Sequence, residues 1–265
     1  MRFASLGSGS DGNALLIESQ EGGRTTRVLI DCGFSLKEAN RRLLSAGIEP
    51  NQLDAILVTH EHSDHVEGVF RLSSAHRVPA WLTHGTASAS VGDRGAAFAE
   101  AESELQKSII PDQAFEVGGL RIHPVSVPHD AREPVQYVVD DGRVKLGVLT
   151  DLGHGTAHIR RAYSGLDALV LECNHDSQML ASNARYPEVL KRRISGPWGH
   201  LANQAAAELL ASLDSSRLRV VVAAHLSRHN NSPELARQAL AEALHTEPNA
   251  IGVADQDEGF HWVEV

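Results

Sequence analysis

A chain of 265 residues with 34 acidic against 24 basic side chains, net −10, lacks the composition for a broad positive surface that coats nucleic acid. Its hydrophobic content of 42% and charged content of 22% suit a globular protein with a large core, and no apolar stretch approaches the length of a membrane span. The only cysteines, Cys32 and Cys173, rule out a disulfide framework, and the start at Met1-Arg2-Phe3 lacks the apolar core of a signal peptide, so a cytoplasmic setting is expected.

In chain order, residues 3–6 predict a first strand, followed by Gly7-Ser8-Gly9-Ser10-Asp11-Gly12-Asn13 and a second strand over 14–18. The glycines of that loop permit close backbone approach, and Ser8, Ser10 and Asn13 are candidates to hydrogen-bond a phosphate. A turn at Gly22-Gly23 leads to a strand over 28–31, and its last residue, Asp31, is expected to orient a ligand from behind. Ser35 and Glu38 have capping-box spacing for a helix through Ala46, closed by Gly47. A strand over 55–59 precedes a helix to about residue 75 and a short strand over 79–82. Residues 85–110 read as helix and loop. Strands over 114–117 and 120–127 follow, and Asp141-Gly142 predicts a type I′ hairpin between 135–139 and 145–150. Beyond it come a helix over 156–163, a strand over 168–171, helices over 187–194 and 202–213, a strand over 220–224, a helix over 234–244, and strands over 251–253 and 260–265. With no linker or repeat in view, one α/β domain over residues 1–265 is expected, two sheets packed together with helices outside.

The densest chemistry lies at Thr59-His60-Glu61-His62-Ser63-Asp64-His65. A histidine after a strand is ordinarily just a polar terminus, but four imidazole or carboxylate donors in six positions suit borderline divalent metals. Adjacent donors point apart, so the simplest arrangement has two ions side by side, His60 and His62 on one, Asp64 and His65 on the other. The same pattern, an apolar strand ending abruptly in a metal-competent residue, recurs at Val125 to His129, Gly147 to Asp151 and Val220 to His225. His129 would complete the first ion, His225 the second, and Asp151 would bridge both. Nitrogen and oxygen donors without thiolate suit zinc, manganese or iron.

This set, in this order and spacing, resembles the metal motifs of the metallo-β-lactamase-fold hydrolases. The resemblance implies a four-layer αββα sandwich, a dinuclear site at one sheet edge, and a metal-bridging hydroxide as nucleophile. His65 beside Asp64 is similar to the phosphodiesterase and glyoxalase branches. Finer stretches resemble the YycJ/WalJ-like branch, bacterial proteins regarded as DNA exonucleases: Ser5 to Asn13, Leu171-Glu172-Cys173-Asn174-His175-Asp176, Arg185-Tyr186-Pro187, Gly199-His200-Leu201-Ala202-Asn203, and His225 to Asn231.

The expected activity is therefore metal-dependent phosphodiester hydrolysis, in the form of a 5′-to-3′ exodeoxyribonuclease acting on nucleic acid or another phosphodiester. Asp64 and His200 are its candidate catalytic residues, His200 as the general acid that related cyclic phosphodiesterases place there. Asn174, His175 and Asp176 follow a buried strand and would either orient ligands or touch substrate. Whether His154, His175 and His229 reach the site is open. Lys191-Arg192-Arg193 is the one basic cluster of the second half, a solvated helix face or, with Arg185, a track for a nucleic-acid backbone. Two other readings compete: hydrolysis of a thioester, lactone or other carboxyl ester on the same site, and a non-enzymatic, metal-bound signalling adaptor. No membrane association and no protein partner is inferable.

Overall fold

The structure, a computed structural model, describes residues 1–91 and 104–265. Two seven-stranded sheets share one plan, three antiparallel pairings followed by three parallel ones. The first sheet contains β1 (Arg2–Gly7), β2 (Ala14–Glu21), β3 (Arg24–Ile30), β4 (Ala55–Leu57), β5 (Ala80–Thr83) and β6 (Gln106–Ile109). The second contains β7 (Phe115–Val117), β8 (Leu120–Ser126), β9 (Val135–Asp140), β10 (Lys145–Leu149), β11 (Ala168–Glu172), β12 (Val220–Ala224) and β13 (Gly252–Val253). The last strand, β14 (Phe260–Glu264), returns to flank β1, giving the orders β14-β1-β2-β3-β4-β5-β6 and β13-β12-β11-β10-β9-β8-β7.

Parallel neighbours cannot be joined by a tight turn, so each parallel half needs crossovers, and the crossovers here are helices that cover the outer faces. On the first sheet these are α1 (Leu36–Ser45), α2 (Ser63–Val66), α3 (Val69–His76) and α4 (His84–Val91). On the second they are α5 (Ala157–Ala162), α6 (Ser177–Ser182), α7 (Glu188–Ile194), α8 (Asn203–Ala211) and α9 (Pro233–Leu244).

The strands are buried on both faces, which is why they read as unbroken apolar runs. Val28 and Ile30 face the space between the sheets while Leu29 packs outward with Leu43 of α1 and Leu72 of α3. In β11, Val170 faces inward and Leu169 and Leu171 meet Leu209 and Leu210 of α8. Each such side chain contributes about 1.5–3 kcal/mol on burial. Tyr137 crosses between sheets, its hydroxyl donating to Val58 O at 2.6 Å.

This architecture matches the expected αββα sandwich. Several local expectations need correction. The strand predicted over 55–59 stops at Leu57, because Thr59 N leaves the ladder to donate to the Asp31 carboxylate at 2.8 Å. The helix expected to about residue 75 is two helices, α2 and α3, with Gly68 between them, where a Cβ would strike Phe34 O. The hairpin turns one residue later than expected and is not type I′: Asp141 N still bonds Val144 O at 3.3 Å, leaving Gly142-Arg143 as the loop, and of these only Gly142 has positive φ (+80°), while Asp141 Oδ1 accepts from Arg143 N and Val144 N. Strand β6 and helix α6 carried no signal in the sequence. Part of the region read as helix and loop over 85–110, residues 92–103, lies outside the described residues.

Topology brings the donors to one rim. Strands β3 and β4 are parallel, as are β10, β11 and β12, and β8 runs with β10 because two antiparallel steps separate them. Their carboxyl ends carry Asp31, His60, Asp151, Glu172, His225 and His129 in turn. Open parallel sheets characteristically bind ligands at that end.

Candidate metal centre

Asp31 is the hidden centre of the first sheet's contribution. Just past β3, with φ +61°, it is buried and accepts from Thr59 N (2.8 Å) and Thr59 Oγ1 (2.8 Å), and its Oδ2 lies 2.8 Å from His65 Nδ1. Thr59 Oγ1 in turn lies 2.9 Å from His60 Nδ1. With its hydroxyl hydrogen given to Asp31, Thr59 accepts from His60, so both His60 and His65 carry their proton on Nδ1 and present a bare Nε2. The expected role of Asp31, orienting ligands from behind, is the one its contacts support.

The other two histidines from strand ends are held the same way. His129 Nδ1 donates to Gly199 O at 3.1 Å, and His225 Nδ1 faces Glu172 Oε1 at 3.3 Å. His62 is the exception and turns its Nδ1 inward. That atom lies 3.0 Å from His60 Nε2 and 3.3 Å from His129 Nε2. Three ring nitrogens thus converge with no hydrogen between two of the pairs. Asp64 Oδ2 is 3.5 Å from both His65 Nε2 and His225 Nε2. Asp151 joins the two groups: Oδ2 lies 3.1 Å from His65 Nε2, and Oδ1 lies 3.6 Å from His225 Nε2 and 4.0 Å from His129 Nε2.

Donors about 2.1 Å from a tetrahedral ion stand about 3.4 Å from one another, and the separations here cluster around that value. Asp151 Oδ2 is buried without a hydrogen-bond partner, an oxygen that a cation would satisfy. The protonation preferences agree. Burial and the neighbouring His65 hold the His60 imidazole well below its usual proton affinity, and burial lowers that of His129. For His225 burial opposes protonation, but Asp151, Asp64 and Glu172 override it and push the ring up to about 10; Asp151, Asp64 and Asp31 raise His65 in the same way. The carboxylates therefore demand positive charge at this rim, which divalent ions supply. The residues present fit a pair of such ions.

Backbone strain marks the same rim. Asp31, Asp151 and His225 are non-glycine residues with φ of +61°, +50° and +56°, each at the end of a strand. Such conformations cost about 1–3 kcal/mol apiece and persist where surrounding contacts hold them.

The remaining candidates divide. Ser8 is turned inward and its hydroxyl accepts from His225 N at 2.9 Å. Asn13 is buried, with Oδ1 accepting from Gly9 N and Nδ2 donating to Gly9 O and Asp64 O. Both brace the ligand loops from buried positions, whereas Ser10 is exposed and lines the cleft. Asn174 Nδ2 donates to His225 O, His175 is buried behind Asn174, and Asp176 caps α6 through Gln178 N and Met179 N. Of the three, only Asn174 touches a candidate ligand. His154 binds Pro197 O, and His229 is exposed near Tyr186; neither joins the cluster.

Glu172 stands outside the site residues expected from the sequence. It is fully buried at the end of β11, accepts from Leu152 N, Leu201 N and His200 Nδ1, and is held down to about 2: burial opposes its charge but His200 and His225 outweigh that. The signal was available, since Ala168 to Glu172 is one more apolar strand ending in a carboxylate. His200 itself stacks at 5.3 Å on His225 and lines a cleft of ≈330 Å³ together with Ser10, Asp64, Asp151 and Arg193.

Comparison with known proteins agrees with the geometry. A family model described as a beta-lactamase superfamily domain matches residues 26–225. The chain is 32% identical to a Bacillus anthracis protein named exodeoxyribonuclease YycJ, over 96% of this chain and 93% of that one. The chain belongs to the metallo-β-lactamase superfamily, in its YycJ/WalJ-like branch. A Streptococcus pneumoniae protein named exodeoxyribonuclease WalJ is 29% identical over 95% of this chain and 91% of its own. Zinc-bound PqqB from Methylobacterium extorquens superposes with a TM-score of 0.75 at 17% identity, covering all of both chains, which shows the common fold. As a member of the metallo-β-lactamase superfamily the chain is a metal-dependent hydrolase, and its donor cluster has the atoms and spacing to hold divalent metal. Among the described residues no helix is long and apolar enough to cross a membrane.

Proposed function

We propose that the protein is a dinuclear phosphodiesterase that degrades DNA from a 5′ end. The observation that carries this reading is the joining of two donor groups, His60, His62 and His129 on one side and Asp64, His65 and His225 on the other, through the single carboxylate of Asp151. The names of the full-length relatives favour DNA as the substrate.

Two divalent ions held there would polarise the scissile phosphate and activate a water as nucleophile. The chain's own groups do the rest. Asp31, Thr59, Gly199 and Glu172 fix ring orientation, so little reorganisation accompanies the reaction. His200 is the proton donor for the departing alkoxide: Nδ1–H is committed to Glu172, and the opposite nitrogen lies on the side of the ring away from it. Burial disfavours the imidazolium, yet Glu172, hydrogen-bonded to Nδ1, and Asp151 outweigh burial and raise the ring's proton affinity.

The test is cleavage of 5′- and 3′-labelled single- and double-stranded DNA by protein loaded with zinc or manganese, beside bis-p-nitrophenyl phosphate and a thioester. Mononucleotide release from the 5′ end, abolished in Asp151→Ala, is expected. Hydrolysis of the thioester alone would transfer the site to carboxyl esters.

A further inference from the structure

Helix α7 is held at the cleft by polar contacts, among them His200 N donating to Ile194 O at 2.8 Å, and not by apolar packing. Not one of its seven residues is buried, so it adds almost nothing to the core. It nevertheless supplies Leu190, Arg193 and Ile194 to the wall of the metal cleft, and it carries Lys191, Arg192 and Arg193 in a chain of net charge −10. Lys191 is occupied by Glu188 (3.0 Å) and Ala181 O. Arg193 reaches over the cleft to Asp130 (2.6 Å), whose other oxygen is 3.4 Å from His129 Nε2. Arg192 is exposed and has no ion pair among the described residues.

The loop that follows presents Trp198, 57% exposed although it is the largest kind of side chain. Its backbone is not loose. Trp198 O accepts from Asp130 N (2.9 Å), Gly199 O holds His129, and Pro197 O holds His154 Nδ1 (2.8 Å). Gly153 lets the loops pack this closely, since a Cβ there would meet Pro197 O at 2.1 Å. An exposed indole is thus anchored through its backbone to Asp130 and, one residue on, to His129, and among the described residues its one aromatic contact is edge-on with His154, at 6.5 Å.

Resting on the phosphodiesterase reading above, we propose that α7 and the loop through Trp198 form the track for the single-stranded DNA leaving the cleft, with Trp198 stacking on a base and Arg192 facing a phosphate. Charge complementarity and continuity with the cleft select this occupant: a rigid aromatic face beside guanidinium groups is how single strands are held without sequence preference.

The experiment is steady-state cleavage of a single-stranded oligodeoxynucleotide, over a range of salt, by the metal-loaded wild type, Trp198→Ala, Trp198→Phe and Arg192→Gln. Loss of one stacked base raises KM about tenfold in Trp198→Ala, and Trp198→Phe restores most of it. Arg192→Gln lowers the slope of log KM against log salt by about 0.7. Variants with wild-type KM and salt slope, in an enzyme that cleaves DNA, overturn the track and leave the phosphodiesterase reading standing. A wild type inert toward DNA but active on another ester removes both.

Discussion

Glu172 Oε1 receives a 2.7 Å hydrogen bond from His200 Nδ1 and lies 3.3 Å from His225 Nδ1. One fully buried carboxylate therefore couples the cleft histidine to a candidate metal ligand. Glu172→Gln preserves shape but removes the charge that both rings face. Activity toward a phosphodiester is expected to fall about 10–100-fold, the usual cost of removing a group that orients a ligand. Unchanged kcat/KM would reduce Glu172 to a bracket for Leu152 N and Leu201 N.

Asp31 sets the proton position on two rings at once, directly for His65 and through Thr59 for His60. Asp31→Asn places an amide where three donors now converge, which forces His65 toward the opposite tautomer and blocks its Nε2. Metal affinity should drop about 10–100-fold. Elemental analysis after dialysis reads the loss directly. The rise in Tm that divalent metal gives the wild type over its chelated form should shrink in the variant; full metal retention would show that Asp31 does not govern the ligands.

Gly33 meets the ligand loop face to face: a Cβ built on it would stand 1.9 Å from Asp64 O. Gly33→Ala must push α2 away from the cleft, so both metal content and stability should decline, the latter by about 1–3 kcal/mol as for other overpacked sites. Denaturant unfolding with and without metal checks it, and a variant as stable and as metal-loaded as wild type would contradict the contact.

Asp141 fastens the two sheets together far from the cleft. Its carboxylate accepts from Ser19 of β2 at 2.7 Å and from Arg143 and Val144 in its own loop. Burial raises its proton affinity, but these hydrogen bonds outweigh burial and hold the carboxyl below its usual value. A depressed carboxyl stabilises the fold above its unfolded pKa of about 3.9 and loses that contribution as pH falls further toward the folded value. Asp141→Asn should therefore cost about 1–3 kcal/mol at pH 7. The gap to wild type should close below about pH 4, as seen in urea titrations at each pH. A gap independent of pH would exclude the charge as its source.

Much of the site was legible because metal ligation demands particular atoms. Imidazoles and carboxylates clustered at His60, His62, Asp64 and His65, and apolar strands stopping at His129, Asp151 and His225, are visible without coordinates. The hairpin keeps its Gly142 but turns on Gly142-Arg143, because the Asp141 carboxylate binds Arg143 N and Val144 N and Asp141 stays paired with Val144. Strand β4 is shorter than its sequence predicts because Thr59 is a good strand residue that a distant carboxylate pulls out of the ladder. Ser8 and Asn13 are buried and hydrogen-bond His225 N and Asp64 O, long-range contacts that no local pattern reveals.

By itself the sequence determined which donor atoms exist, how the apolar runs alternate with helices, and hence that strand ends would carry the chemistry. Only the tertiary structure decided what stands behind each donor. The parallel register sets Glu172 beside Ala224 and so against His225, and the two-strand offset turns His129 to the same rim. Local sequence specifies a residue's chemistry and its place along a strand. Which nitrogen of a ring is left bare depends on a partner tens of residues away, and only packing chooses that partner.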